Sequence, residues 1–315
     1  MEMAVNIDDD PKLTEAKEAN EKEKEWWSSE NSLGYLDVGE ERLPLILARG
    51  VTFKQFQKRV EKIKARRFFS FQDGTVMLIE LPNPDHEAAN TFFSSQFTSS
   101  TQQVDNWGAA KLYPQGQGHY EEPDACFVPI SLQPRRNSMK KDEFIEFINF
   151  SGRPWPTIIL EVASTESLVH AINKVNNHWF LPNCAEDVII IKLGSWRNQR
   201  YNNQLPLRRL RCLKFCRTAS LRQNLNTTRF DPIEEIEFGS VYSNGREASF
   251  CTGPHMKWIT IDCSCIYSGC QPPILSFNAV VSSAPLPANS PSPLQRPGVA
   301  IDLYDIQQAI FRATV

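Results

Sequence analysis

The chain has 315 residues, a formal net charge of −3 and 41% hydrophobic residues, which suits one sizeable globular domain with attachments and leaves little room for a second. No apolar run approaches the roughly 18 to 20 residues that cross a bilayer, and the N-terminus carries no apolar core of a secretory signal. An intracellular protein, cytoplasmic or nuclear, is therefore expected, and its eight scattered cysteines read as reduced thiols.

Residues 1–42 are rich in Glu, Lys and Asp and have almost nothing to bury before Trp26 and Trp27, so they predict a disordered charged tail. From Leu43 the pattern turns globular. Phe53, Phe56, Val60 and Ile63 recur at spacings of three and four, as on one helix face, with Thr52 near its start. Asp73-Gly74 between Phe68–Phe71 and Val76–Leu81 is a strong two-residue hairpin signal. Pro82 and Pro84 end the second strand, and Asp85 is placed to cap a helix through "HEAANTFFSSQF".

A strand is expected around Ala109–Tyr113, then a turn at Gly116 and Gly118. "PDACFVPI" and "PTIILEV" read as two short strands, separated by a charged insertion from Ser131 to Arg153. Leu168, Ile172, Val175 and Trp179 follow at helical spacing, and "DVIIIKL" reads as another buried strand. This alternation predicts an α/β layer structure over residues 43–200.

From Val188 to Phe230 there is no Asp or Glu, while Lys192, Arg197, Arg200, Arg208, Arg209, Arg211, Lys214, Arg217, Arg222 and Arg229 are all basic. Residues 201–275 are expected to form a basic, β-rich extension, and 276–300 a Pro/Ser-rich linker. In residues 301–315, Leu303, Ile306 and Ile310 share one face of a terminal amphipathic helix.

Several signatures are missing. There is no G-x-G-x-x-G, no phosphate-binding Gly-rich loop ending in Lys-Ser or Lys-Thr, and no G-x-S-x-G elbow. "HEAAN" falls short of H-E-x-x-H because Asn90 stands where the second imidazole would be. Cys251, Cys263, Cys265 and Cys270 lack the usual knuckle spacing for zinc, so the favoured reading is partly buried thiols, as for Cys212 and Cys216.

What survives is Pro123-Asp124 at the start of one strand and Glu161 at the end of the next. If the strands pair, both carboxylates emerge at one end of the sheet and could share a hard cation such as Mg2+. A cation would also account for a carboxylate among apolar Leu160, Val162 and Ala163. The alternative is that Asp124 is a turn residue and Glu161 an exposed strand end.

"GTVMLIELPNPDHEAAN", "EEPDACFVP", "PTIILEVASTES", Lys174 thirteen residues after Glu161, and "DVIIIKL" together resemble the Uma-type restriction-endonuclease family of the PD-(D/E)XK superfamily, in a version multiplied in fungi. The resemblance spans residues 50–195, about half of the chain. It implies a restriction-endonuclease-like mixed sheet flanked by helices, with a small β-rich C-terminal extension outside the pattern. It also implies Asp124 and Glu161 as ligands of Mg2+ or Mn2+, with His86 opening the first core helix and Glu87 beside it placed to support the metal or orient a ligand. The superfamily lysine normally stands two residues after the Glu, where this chain has Ala163. In the Uma-type family the following helix supplies it, and Lys174 occupies that place.

Three functions follow as expectations. The first is a metal-dependent nuclease acting on DNA, with Asp124, Glu161 and Lys174 at its core. Arg135, Arg136, Lys140 and Lys141 of the insertion, and Arg208, Arg209 and Arg211 of the basic block, would then contact the nucleic acid. The second is a nuclease-derived nucleic-acid-binding module without turnover, and the third a protein-interaction module. A homodimer is compatible with each, and no membrane contact is expected.

Overall fold

The computed structural model describes residues 27, 43–63, 66–81, 83–101, 103–112, 121–132, 154–181, 185–196, 205–219, 229–272 and 278–314. The expected charged tail, apart from Trp27, lies outside these residues, as do Arg135, Arg136, Lys140 and Lys141. The chain divides into two compact units, 1–81 and 82–315. Among the described residues no helix is long and apolar enough to cross a membrane.

The first unit is a three-stranded sheet in the order β1 (Leu45–Ala48), β3 (Thr75–Leu78), β2 (Phe69–Gln72), all antiparallel. Asp73 and Gly74 both take positive φ, 47° and 75°, the backbone that the expected two-residue hairpin turn requires. Helix α1 (Phe53–Ile63) is opened by a reciprocal cap. Gln55 N–H donates to Thr52 Oγ1 at 3.3 Å, and Thr52 N–H donates to Gln55 Oε1 at 2.9 Å. Its apolar stripe buries Phe56 and Val60 against Trp27, Leu47, Phe69, Val76 and Leu78.

The second unit is built on a six-stranded sheet in the order β4 (Val104–Asn106), β5 (Ala125–Pro129), β6 (Ile158–Ala163), β7 (Asp187–Leu193), β8 (Leu210–Cys216) and β9 (Glu234–Glu237). Only β6 and β7 run parallel; the other neighbours are antiparallel. Strand β6 is buried along its whole length, as befits a strand covered on both faces whose apolar run is interrupted only by Glu161. Ile158, Leu160 and Val162 point into one core with helix α2 (Pro84–Ser100), while Ile159 and Ala163 point into the other with helix α3 (Leu168–Lys174). By that period of two, Glu161 faces α3. The architecture is thus the expected one, a mixed sheet flanked by helices.

Helix α3 continues into a π turn, Val175–Trp179, closed by the Phe180 N–H donating to Val175 O at 2.9 Å. Of the expected strand near Ala109–Tyr113, Tyr113 lies outside the described residues, and among those described Leu112 forms a bridge with Glu121.

The C-terminal third differs from its expected division. Leu210–Cys216 and Glu234–Glu237, expected in an extension, complete the central sheet. Strand β10 (Trp258–Asp262) leads into the short helix α4 (Cys263–Ile266), and β11 (Asn278–Val281) falls within the expected linker. Val299, Ala300 and Ile301 lie in β12 (Gly298–Asp302), so helix α5 starts at Leu303. These form a second sheet in the order β10-β12-β11. Gly298 is needed where β12 meets β10, since a Cβ there would stand 2.2 Å from the carbonyl oxygen of Ile261.

Candidate functional site

Helix α2 begins at Pro84, with Asn83 as its N-cap, accepting the His86 N–H at 3.3 Å. That start puts His86, fully buried, against the strand β5 end of the sheet. Its Nε2 lies 3.1 Å from Asp124 Oδ1, and its Nδ1 lies 3.2 Å from Glu87 Oε1. Glu87 is 47% exposed, so it orients the imidazole from the solvent side. Asn90, one turn on, donates to the Asp124 carbonyl oxygen at 3.2 Å. The residue that spoils a zinc motif in the sequence thus anchors the Asp124 backbone.

Asp124 immediately precedes β5, and its Oδ2 accepts the backbone N–H of Val162 on β6 at 2.7 Å. Glu161, one residue earlier on β6, is 1% exposed. Lys174 Nζ donates to its Oε2 at 2.5 Å, and Trp179 Nε1 to its Oε1 at 2.7 Å. The alternative of an exposed strand end is therefore excluded for Glu161. The π turn carries Trp179 round to this contact, and Trp179, read in the sequence as core, is both core and hydrogen-bond donor.

Glu166, in the loop between β6 and α3, is a member of the cluster that the sequence reasoning left out. Its Oε2 lies 3.8 Å from Lys174 Nζ, and its Oε1 pairs with His170 Nδ1. The signal for it was local: Glu166 and His170 stand four residues apart, across a helix start capped by Ser167. The loop itself is held by Lys192, whose Nζ donates to the carbonyl oxygens of Ser164 and Glu166, each at 2.6 Å.

The charges in this pocket are unequal. Burial would raise the Asp124 carboxyl, but His86, Lys174 and the Val162 N–H together hold it below the usual carboxylate range. Burial likewise opposes ionisation of Glu166, and Lys174 and His170 overcome it. Glu161 goes the other way: burial, with Asp124 and Glu166 nearby, outweighs Lys174 and pushes it up to about 8. Lys174 is desolvated too, yet the three carboxylates hold it firmly protonated.

The three acids around this lysine offer only hard oxygens as side-chain donors, and a cation at Glu161 would offset the burial that holds it protonated. That donor set fits Mg2+ or Mn2+, which take one or two carboxylates and keep water in the remaining positions. Asp124 and Glu161 would be the ligands.

No protein-family model matches the chain, and no curated protein does. Among solved structures it is similar to a candidate nuclease of the DUF820 group from Anabaena variabilis ATCC 29413. The match has 15% identity and a TM-score of 0.30, and covers 45% of this chain and 74% of the other.

The basic block looks different in space from its linear form. Arg208 is buried: it pairs with Asp85, donates to Gly194 O at 2.6 Å and to Thr314 Oγ1 at 3.3 Å, and so is a structural residue with no surface for nucleic acid. Arg209 forks onto Glu237, and Arg211 reaches Glu235 at 3.2 Å. The block itself has no acids, but β9 supplies them to Arg209 and Arg211 from the next strand.

Proposed function

We propose that this protein is a metal-dependent nuclease hydrolysing phosphodiester bonds, with DNA as the substrate. One observation carries the reading: Lys174, in the helix that follows the Glu161 strand, returns its ammonium to 2.5 Å from Glu161, beside the Asp124 that β5 contributes. An acid at the start of one strand, an acid in the strand paired with it and a lysine beside them form a set suited to metal-assisted in-line attack on phosphorus.

Bound by Asp124 and Glu161, the ion would supply neutralising charge and a water of lowered pKa. The protein's own residues do the rest. Val162 N–H and His86 fix the Asp124 carboxylate, which needs no reorganisation to bind. Lys174 carries a positive charge to the place where negative charge develops on the phosphate oxygens, and Glu166 keeps it charged and aimed. Trp179 holds Glu161 at the floor of the pocket.

A second reading is favoured by a specific observation. Both oxygens of Glu161 already have protein donors, as does Asp124 Oδ2, with His86 on its Oδ1. A nuclease-derived module that binds nucleic acid without cutting it would look the same. Incubating the full chain with linear duplex DNA and Mg2+ or Mn2+ separates the two. Cleavage that is lost with chelator and in Glu161→Ala supports the nuclease. Salt-sensitive binding of uncut DNA under every condition supports the module.

A further inference from the structure

Asp187 opens β7, at the other end of the sheet from the Lys174 pocket: it pairs with Ile158, three residues before Glu161 on β6. It is fully buried, and among the described residues the polar groups that turn toward its carboxylate are the thiols of Cys216 and Cys265 and the ammonium of Lys214. Lys214 Nζ pairs with Oδ2 at 3.6 Å and also donates a hydrogen bond of 2.7 Å to the carbonyl oxygen of Thr260. One ammonium at that distance and two thiols leave a buried carboxylate weakly served, a setting in which a cation would be stabilising.

Three more donors converge on it. Glu186, Cys216 at the end of β8 and Cys265 in α4 are all buried, and one ligand atom from each of the four residues lies within 4.8 Å of the others. Both cysteines are free thiols, with Sγ atoms 3.8 Å apart, and Cys216 Sγ is 3.9 Å from Glu186 Oε1. With zinc–sulfur bonds of about 2.3 Å and tetrahedral angles, two thiolates on one ion stand about 3.8 Å apart, and a thiolate and a carboxylate oxygen about 3.5 Å. A disulfide would need the sulfurs at about 2.05 Å and would leave Asp187 unexplained.

We propose that Glu186, Asp187, Cys216 and Cys265 form a structural zinc site. Two sulfurs and two carboxylate oxygens select Zn2+ over the hard ions suited to Asp124 and Glu161. All four positions come from the protein, so no place remains for a reactive water and the role is a staple. It joins α4, which follows the C-terminal sheet strand β10, to the ends of β7 and β8. Binding releases the two thiol protons to solvent. Four anionic ligands and one divalent ion leave two negative charges, and two cations stand at the cluster: Lys214 at 3.6 Å from Asp187 and Arg217 at 3.4 Å from Glu186.

The test uses the full chain, reduced, stripped with chelator and desalted, then titrated with Co2+. The expected result is saturation at one equivalent of a sulfur-to-cobalt charge-transfer band with the visible bands of a tetrahedral ion, all displaced by Zn2+. Cys216→Ser/Cys265→Ser should lose the band, and Cys263→Ser should keep it. Should the double variant fail to fold, alkylation of the wild type decides: Zn2+ should protect two thiols, mapping to Cys216 and Cys265. Absence of the charge-transfer band in folded, reduced wild type overturns the site, as does its survival in the folded double variant or protection of other cysteines. An ion held by Asp124 and Glu161 gives no sulfur band, so this result is independent of the nuclease reading.

Discussion

The carboxylate of Asp124 accepts the backbone N–H of Val162 at 2.7 Å, so one acid of the site hangs from the residue next to the other, Glu161. Their relation is set by the pairing of β5 with β6, and not by flexible side chains. Asp124→Asn keeps an oxygen for Val162 and should melt close to wild type while losing cleavage. Asp124→Ala strands that buried N–H and should cost a further ~1–3 kcal/mol. Thermal melts beside a cleavage assay separate the two effects.

Lys174 is the positive charge that Glu161 and Glu166 share. Its removal leaves buried acids without a counter-charge, so Lys174→Ala should destabilise the protein by about 3 kcal/mol. Adding Glu161→Gln removes part of the uncompensated charge, and the double variant should lose less than the sum of the singles. Additive losses in denaturant titrations would mean that the pair is not coupled.

Glu161 also sets a pH dependence in the absence of divalent ions. Its carboxyl is raised from 4.5 to about 8 by burial and the neighbouring acids, so the folded state holds the proton more tightly than the unfolded chain. The associated stability is full below about 4.5, declines as pH rises and is gone above about 8. Wild type should therefore lose stability relative to Glu161→Gln between pH 5.5 and 8.5, in roughly the window that equilibrium unfolding at three pH values can cover. A constant difference would place the titration elsewhere.

The arginines of the basic block should divide. Arg208→Ala breaks a buried pair with Asp85 and should cost about 3–5 kcal/mol. The partly exposed pairs of Arg209 and Arg211 are each worth ~0–1 kcal/mol, so their alanine variants should fold normally. If that surface meets DNA, the same two variants lower the salt slope of binding. Melting curves and binding measured at several salt concentrations give both quantities.

Much of this was legible where the signal was local. The Asp73-Gly74 turn, the Phe56 and Val60 stripe and the apolar runs of β6 and β7 each follow from short-range chemistry. Lys174 came from a resemblance, because no spacing rule says that a helix residue will turn back onto the preceding strand. Glu166 was passed over for the opposite reason: a loop acid in "STES" looks solvated until Lys174 and His170 close over it. The ion pairs of the basic block were not legible, because charge balance is a property of neighbours in space. Glu235 and Glu237 lie more than twenty residues away in sequence from the arginines they neutralise. The cluster around Asp187 was equally invisible, since its cysteines are 49 residues apart, one at the end of β8 and the other in helix α4.

The π turn at Val175–Trp179 can be understood as one residue too many for an α-helix. Each residue turns a helix by roughly 100°, so the surplus residue decides where Trp179 points. Deleting one residue from Val175–His178 would restore ordinary helical winding without touching any residue of the pocket. It would also swing the indole away from Glu161, leaving a buried acid oxygen without its donor. At this place the length of the chain, counted to a single residue, is as much a part of the site as the side chains.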